Sequence, residues 1–346
     1  MAMVETKDGV ENIPPARETH GLVGHERAER EVLEALRTRR FAHAWLLSGP
    51  QGVGKASFAY RVARFVLAGR DPFGRAKGAS SLEIPANDPV SRRIAASAHP
   101  DLFLLERTIG STGKLRTEIA VEDARRATSF LQSTSGEGGW KVLIVDAADE
   151  LNRNAANALL KIIEEPPGRA LALLVAHVPA RLPATILSRC RRLRFDPLTP
   201  AEIVEIITHL PGNEASEKTI AEAALLAEGS VQRTLLFLES RAVEFARLTR
   251  EALEAPPRAR DAAALKLASR LVMRDADASF GIVFDTIFDW LRERATRQAA
   301  DLDQRAEDTA RLWGEIEARK READTYNLDK RALLLTSLKG VAELAP

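Results

Sequence analysis

Apolar and polar positions along the chain follow two spacings, one typical of strands and one typical of helices. Three short runs are apolar almost throughout and are bounded by Gly, Pro or charged residues: Ala44–Ser48, Val142–Asp146 and Leu171–Ala176. Such runs predict strands that are buried on both faces, as in a parallel sheet. The segments between them have helical spacing, at Ala56–Leu67, Val121–Gln132 and Asn154–Glu165. Strands that alternate with helices predict an α/β domain that extends to about Pro197.

After Pro197 the strand pattern disappears and helices are predicted throughout. Thr199-Pro200-Ala201-Glu202 predicts a helix start, with Thr199 as the cap, Pro200 at the first helical position and Glu202 at the third. Helices are expected at 201–209, at 216–227 and from Gly229, and Pro256-Pro257 interrupts the pattern before a last helical region at 258–344. Within the first domain, the segment Gly69–Pro89 is rich in Gly and Pro and predicts an irregular insertion.

Composition narrows the class of protein. The 346 residues predict two or three domains at about 150 residues each. Lys plus Arg number 50 against 49 Asp plus Glu, which excludes a globally basic nucleic-acid coat protein. Cys190 is the only cysteine, so an intramolecular disulfide and a cysteine-cluster zinc site are excluded. No apolar run approaches the ~18 residues of a membrane span and residues 1–17 lack an apolar signal segment, so a soluble, cytoplasmic protein is expected.

The strongest chemical signal is the segment Gly49-Pro50-Gln51-Gly52-Val53-Gly54-Lys55-Ala56, between the first predicted strand and a predicted helix. That context predicts a phosphate-binding P-loop, because glycines let the backbone approach phosphates and the helix N-terminus adds a positive dipole. The candidate nucleotide-binding residues are Gly49, Gly52, Gly54 and Lys55. A full P-loop has Ser or Thr after the lysine to hold Mg²⁺, whereas Ala56 stands here and Ser57 lies ~100° further around the helix. The metal ligand is therefore missing.

A second motif belongs to the same kind of site. The run Val142–Asp146 ends in a carboxylate, the Walker B arrangement that orients Mg²⁺ in P-loop NTPases. Active members of the AAA+ class follow this Asp with a Glu that activates water, but Ala147 follows Asp146 here. Asp149 and Glu150 come later and are expected to solvate a loop or to cap the next helix. The two losses predict a site that does not hydrolyse ATP, requires no cofactor, holds no metal and binds ATP or ADP only passively.

Several segments resemble those of bacterial clamp-loader subunits, a family of the AAA+ class. They are Asn157–Pro167, Leu187-Ser188-Arg189-Cys190, His43–Gly49, Leu22–His25 and Gly229–Arg233. Leu22–His25 resembles the box that lies over the nucleotide base in this family, and Gly229–Arg233 is similar to its sensor-2 segment. The resemblance spans about Gly21 to Leu238 and adds Arg233 to the candidate nucleotide-binding residues. It implies four parts: a flexible tail at 1–20, a P-loop AAA+ core with a parallel sheet at 21–197, a small helical lid at 198–243, and an all-α collar at 244–346 that holds a ring-like oligomer together.

The substituted nucleotide site indicates which kind of clamp-loader subunit this chain resembles. The motor subunits gamma and tau have an intact P-loop and a Walker B Asp-Glu pair, whereas this chain has neither and keeps the motif Ser188-Arg189-Cys190. This combination is similar to the non-motor subunits, and the clamp-opening delta subunit, which lacks a clear Ser-Arg-Cys motif, fits less well. Many relatives carry a four-cysteine zinc module near the position of Gly69–Pro89, which this sequence cannot form.

The resemblance also implies a role and partners. Arg189 would act in trans as an arginine finger on the ATP of a neighbouring motor subunit, because a planar guanidinium can contact two phosphate oxygens. The implied partners are the gamma/tau and delta subunits, with the sliding clamp and primer–template DNA reached through the complex. Arg153 and Lys161 flank the helix after the Walker B strand, which in this family faces the DNA, and are the candidate DNA-facing residues.

Two alternative functions remain open from the sequence. One is an active AAA+ ATPase of the gamma/tau type, in which Ser57 or water replaces the missing hydroxyl ligand. The other is a stand-alone DNA-binding module that uses the basic stretch Arg181–Arg194. The balanced net charge and the lack of a recognised DNA-reading motif argue against the second.

Overall fold

The structure, a computed structural model, describes residues 14–110, 115–239, 242–256, 258–271, 276–300, 305–326 and 328–344. The chain divides into two compact units, Met1–Thr234 and Leu235–Pro346. The predicted division into a tail, a core, a lid and a collar uses other boundaries and stays a prediction.

The first unit is built of strands that alternate with helices. Its strands are β1 (Ala44–Ser48), β2 (Leu102–Glu106), β3 (Lys141–Asp146), β4 (Ala170–Ala176) and β5 (Arg191–Arg194). Its helices are α1 (Glu26–Arg37), α2 (Lys55–Leu67), α3 (Pro72–Gly78), α4 (Pro89–Ala95), α5 (Val121–Gln132), α6 (Arg153–Glu164), α7 (Ala184–Leu187), α8 (Pro200–Thr208) and α9 (Glu217–Leu226), and α10 (Val231–Glu239) follows.

The five strands form one parallel sheet in the order β2-β3-β4-β1-β5. Side chains of β1 alternate between two apolar layers, with Trp45 and Leu47 on one face and Ala44 and Leu46 on the other. Helices α1 and α2 cover the first face, and α5 and α6 cover the second. Because both faces are covered, the inner strands are apolar between their end residues, as the sequence predicts. The predicted fold class is confirmed in its architecture, an α/β core with a parallel sheet that is followed by helices.

The two edge strands are absent from the sequence prediction. In β5, only Leu193 is buried, and the other three residues are exposed arginines. In β2, four of the five residues are half-buried. An edge strand has only one neighbour, so its pattern need not be the continuous apolar run by which the inner strands were recognised.

The predicted irregular insertion at Gly69–Pro89 is wrong in part, because α3 forms within it. Pro72 occupies the first turn, and the Asp71 side chain caps the helix by accepting a hydrogen bond from the Phe73 amide at 3.1 Å. Ala76 and Leu82 are fully buried. The segment is therefore part of the core of the first unit.

Part of the predicted N-terminal tail, residues 14–20, contacts α2. The buried Arg64 donates hydrogen bonds to the Arg17 and Thr19 carbonyls, and Arg61 donates to the His20 carbonyl at 2.6 Å. These backbone carbonyls thereby satisfy two buried guanidinium groups. Residues 1–13 of the predicted tail lie outside the described residues.

The helix start predicted after Pro197 is confirmed. The Thr199 hydroxyl accepts from the Glu202 amide, and a Glu202 carboxylate oxygen accepts from the Thr199 amide at 2.7 Å, with Pro200 in the first turn. This reciprocal pair is the capping box that the sequence Thr-Pro-Ala-Glu indicates.

The second unit is helical where it is described. Its helices are α11 (Ala242–Glu254), α12 (Arg260–Arg270), α13 (Ala276–Ala300), α14 (Arg305–Tyr326) and α15 (Lys330–Glu343). They share one apolar cluster, in which Leu267, Val283, Ile287, Leu291 and Leu334 are completely buried. The predicted break at Pro256-Pro257 falls between α11 and α12, and Pro257 itself lies outside the described residues.

Candidate functional site

The P-loop connects the end of β1 to the start of α2, as predicted. A Cβ atom at Gly49 would lie 2.2 Å from the Phe195 carbonyl oxygen, so only glycine fits there. Gly52 has a φ of +76°, a conformation in which glycine is favoured. Gly54 is the residue before Lys55, at which α2 begins. These three glycines lie in the turn between β1 and α2 expected from the sequence, and their binding of a phosphate stays a prediction.

Lys55 folds back onto its own loop. Its Nζ donates a hydrogen bond to the Gly49 carbonyl at 2.7 Å and another to the Pro50 carbonyl. The side chain is 3% exposed, and burial lowers the pKa of the ammonium group to about 8, an effect that the negative charges of Asp146 and Asp149 partly offset. The lysine that would contact outer phosphates therefore hydrogen-bonds to loop carbonyls.

Two segments pack on the loop. The Val231 amide donates to the Gly52 carbonyl at 3.0 Å, which places the start of the predicted sensor-2 helix over the loop. On another side, His25 Nε2 lies 2.5 Å from the Val53 carbonyl oxygen, and its ring contacts Phe195 edge-on at 4.8 Å. Arg233, the predicted nucleotide sensor, forms an ion pair with Glu228 at 2.9 Å, and both side chains are about half exposed.

The carboxylates after the Walker B strand have structural partners. Asp146 ends β3 as predicted. Asp149 accepts hydrogen bonds from the His177 and Val178 amides at 2.9 and 3.0 Å, and so fixes the loop after β4. Glu150 forms an ion pair with Arg107 at 2.7 Å. The expectation that one of these residues caps the next helix is wrong, because Asn152 caps α6 by accepting from the Ala155 amide. The alternative, that a carboxylate solvates a loop, describes Asp149, which accepts from two amides of the loop after β4.

The Ser-Arg-Cys motif lies between α7 and β5. The Ser188 hydroxyl donates to the Thr185 carbonyl at 3.2 Å, which ties it to the end of α7. Cys190 is buried, and burial raises the pKa of its thiol to about 11, so it packs as an apolar group and is not a nucleophile. The Arg189 side chain is 41% exposed and pairs with Glu164 of α6, with 2.8 Å between Nε and Oε1.

Strand register separates Arg189 from the P-loop of its own chain. β5 begins two residues after Arg189 and runs parallel to β1, with Arg191 opposite Trp45 and Arg194 opposite Ser48. Arg189 therefore lies at the edge where the strands begin, and the P-loop lies at the edge where they end. Four residues of strand separate these edges, about 13 Å at 3.3 Å per residue. The predicted site residues thus form two groups that the fold keeps apart.

The candidate DNA-facing residues lie on one helix. Arg153 begins α6 and Lys161 follows two turns later; both are exposed, and neither forms an ion pair within the described part of the chain. Of the five arginines in the basic stretch 181–194, Arg189, Arg191 and Arg194 pair with acidic residues of this chain. This pairing reduces the positive charge that a stand-alone DNA-binding surface would need.

Sequence reasoning did not identify Glu164 as a partner of Arg189. It belongs to the segment Asn157–Pro167 that supports the family resemblance, but the two residues are distant in sequence and no motif connects them. Among the described residues, no group of three or more His, Cys, Asp or Glu side chains could hold a metal ion. None of the helices in the described ranges combines the length and apolar character needed to cross a bilayer.

The fold and this site define a P-loop protein whose hydroxyl metal ligand and catalytic glutamate are substituted. The family model described as DNA polymerase III, delta subunit, matches residues 24–199, and the chain belongs to this family. It is 36% identical over 182 residues to the delta′ subunit of DNA polymerase III of Pseudomonas aeruginosa, a match that covers 53% of this chain and 48% of that protein. It is 34% identical over 179 residues to the delta′ subunit of Bacillus subtilis, covering 51% and 49% of the two chains.

Other similarities are at lower sequence identity. The tau subunit of Bacillus subtilis is 28% identical over 222 residues, which cover 63% of this chain and 36% of that protein. Among solved structures, a gamma-subunit-related protein of Thermotoga maritima has a TM-score of 0.42 and 17% identity, covering 90% of this chain and 99% of that chain. A RuvB protein of the same organism has a TM-score of 0.42 and 20% identity, covering 80% and 81%.

The family model and the two delta′ relatives confirm the predicted membership in the clamp-loader family and the delta-prime type. That the chain is a non-motor subunit stays a prediction. The chain spans about half the length of the delta′ relatives that it matches.

Proposed function

We propose that this chain is a non-motor, delta-prime-type subunit of a DNA polymerase III clamp loader. It supplies Arg189 to the ATP site of a neighbouring gamma/tau motor subunit and has no ATPase activity of its own. The complex contains a delta subunit and loads the sliding clamp onto primed DNA in the cytoplasm, and Arg153 and Lys161 face that DNA. DNA-directed DNA polymerase activity belongs to the assembled holoenzyme. The degenerate P-loop requires no cofactor and binds ATP or ADP only passively.

The position of Arg189 is the observation that carries this proposal. The residue is half exposed, and the register of β1 and β5 puts it at the opposite sheet edge from its own P-loop. An arginine finger in this position can reach only a nucleotide held by another chain. Such a finger stabilises charge on the transferred phosphate and is worth ~10³–10⁵ in rate in other P-loop systems.

Substituting Arg189 in the assembled complex tests the proposal. We expect Arg189→Ala to leave folding and assembly unchanged, because the side chain lies on the surface, and to reduce DNA-stimulated hydrolysis at the adjoining motor site and clamp loading with it. Arg189→Lys should restore little of the hydrolysis that Arg189→Ala loses, since an ammonium keeps the charge but loses the two-point contact. Total ATPase falls only in part, because the other motor sites receive arginines from motor subunits.

Arg192→Ala is the matched control, because Arg192 is exposed in the same basic stretch and forms no ion pair with described residues. The measurement is per-site ATP hydrolysis in complexes that differ only in this chain. A surface salt bridge without a catalytic role predicts at most ~1 kcal/mol of stability change and normal hydrolysis. Equal rates for Arg189→Ala, Arg192→Ala and the unmodified chain would overturn the trans-acting role.

A further inference from the structure

The guanidinium of Arg189 has defined partners within its own chain. Nε forms the 2.8 Å ion pair with Glu164 Oε1. Nη1 donates hydrogen bonds to the Thr185 carbonyl at 3.1 Å and to the Ser188 hydroxyl at 3.2 Å. No acceptor among the described residues contacts Nη2. The group is therefore held by the end of α6 on one side and by the end of α7 on the other.

This arrangement limits how Arg189 can contact a phosphate. A two-point contact needs two neighbouring nitrogens of the guanidinium, either Nε with Nη2 or Nη1 with Nη2. The Glu164 carboxylate lies 2.8 Å from Nε as an ion-pair partner, and Nη1 donates to both Thr185 and Ser188. A phosphate that is bound through two nitrogens must therefore displace either the Glu164 oxygen beside Nε or an acceptor of Nη1.

The contact with Glu164 differs from the others in charge. The hydrogen bonds to Thr185 and Ser188 orient the group without opposing a phosphate, whereas the Glu164 carboxylate neutralises the guanidinium and repels an anion beside it. The Arg189 and Glu164 side chains are 41% and 44% exposed, and ion pairs with this exposure are weak. Glu164 can therefore be displaced by a phosphate, at a modest cost to phosphate affinity.

From these contacts we infer that Glu164 is a positioning residue for Arg189. It holds the guanidinium while the neighbouring subunit presents no nucleotide, and it competes with the phosphate when that nucleotide is bound. We call Glu164 the reserve partner of Arg189. This inference rests on the proposed trans-acting function of Arg189. Under this inference, Thr185 and Ser188 set the direction of the Arg189 guanidinium. Glu164 sets the ATP concentration at which Arg189 binds the phosphate of the neighbouring site.

Glu164→Gln tests the inference, because glutamine keeps the size and an acceptor oxygen but removes the charge. Glu165→Gln is the matched control, since the neighbouring Glu165 is exposed and has no ion pair with described residues. In assembled complexes whose other motor sites are disabled, we expect Glu164→Gln to lower the KM for ATP at the adjoining site by about three- to fivefold, with kcat unchanged. That change corresponds to about 0.7–1 kcal/mol at 1.4 kcal/mol per factor of ten. Glu165→Gln leaves both constants unchanged.

Two further measurements separate this inference from the proposed function. In the isolated chain, the NMR signal of the Arg189 Nε–H group, assigned with Arg189→Lys, shifts in Glu164→Gln and not in Glu165→Gln. In the complex, Glu164→Gln combined with Arg189→Ala behaves like Arg189→Ala alone. If Arg189→Ala does not reduce hydrolysis, the proposed function fails. If it does, and Glu164→Gln either matches Glu165→Gln or lowers kcat, the finger role stands and the reserve-partner inference is overturned.

Discussion

Lys55 illustrates how one residue can keep its place in a motif and change its partners. The sequence predicts its position at the start of the P-loop helix, and the structure has it there. Its bonds to the Gly49 and Pro50 carbonyls could not be predicted, because they depend on how the loop closes and on what else could attract the ammonium. A buried ammonium that bonds only to neutral carbonyls lacks full compensation for its lost hydration.

The lowered pKa of Lys55 predicts a pH dependence of stability. Below about pH 8 the lysine is charged in the folded and the unfolded chain, and the folded chain bears the full cost of burial. Between about pH 8 and the ordinary lysine pKa near 10.5, the folded chain has lost a proton that the unfolded chain retains, so the free energy of unfolding rises with pH. Lys55→Met removes this rise. From pH 7 to pH 10, we expect the unmodified chain to gain about 2–3 kcal/mol relative to the variant.

Denaturant unfolding at both pH values measures this difference. Lys77→Met, at an exposed lysine, controls for the removal of a lysine as such. A constant difference between Lys55→Met and the unmodified chain across this range would mean that the ammonium is not buried in solution. If the P-loop does no chemistry, as proposed, the same variant in the assembled complex should keep clamp-loading turnover within about threefold, under ~0.7 kcal/mol.

At the scale of elements, the sequence predicts those helices and strands whose own residues determine them. It does not predict an element that forms only because it pairs with another part of the chain. The inner strands and α5 follow from apolar spacing, and the start of α8 follows from its capping box. β5 is held by its pairing with β1, and its arginine-rich sequence gives no strand signal. The separation of Arg189 from the P-loop depends on that pairing. The motif could therefore be found from the sequence, but its distance from the nucleotide site could not.

The contact between the P-loop and the start of α10 gives a prediction for Gly52. A Cβ atom there would lie 2.2 Å from Ser230 Oγ and 2.8 Å from Gln232 Cβ, in a backbone conformation unfavourable for alanine. Gly52→Ala should lower the free energy of unfolding by about 2–4 kcal/mol, through strain and the displacement of this segment. It should also speed hydrogen exchange of the Val231 amide, which donates to the Gly52 carbonyl.

Gly54→Ala separates the two causes. Its φ is also positive, at +98°, but the nearest atom to a Cβ there is 3.8 Å away, in the His25 ring. This variant should show the conformational cost alone, about 1–2 kcal/mol, with the exchange of the Val231 amide unchanged. If the two variants lose the same free energy of unfolding, the start of α10 does not contact the loop closely enough to affect stability.

At the scale of the whole molecule, each unit buries its own apolar residues. The clusters on the two faces of the sheet lie within 16–195, and the cluster of the second unit lies within 245–344. Helical spacing predicts the helices of the second unit, but helices of this kind resemble one another in sequence. Which of their faces meet is decided by packing, so the arrangement of this core had no signal in the sequence.

The separate core of the second unit predicts that it can fold and assemble alone. A fragment of residues 242–346 retains every member of its apolar cluster, so we expect a helical circular dichroism spectrum and one cooperative unfolding transition. If this region is the collar, the folded fragment should enter a complex with gamma/tau and delta subunits and displace the full chain in size-exclusion competition. That complex should lack DNA-stimulated hydrolysis at the adjoining site, because Arg189 is absent. The fragment 1–241 is the reciprocal control: assembly of 1–241 without 242–346 would place the oligomer contacts in the first unit and contradict the collar.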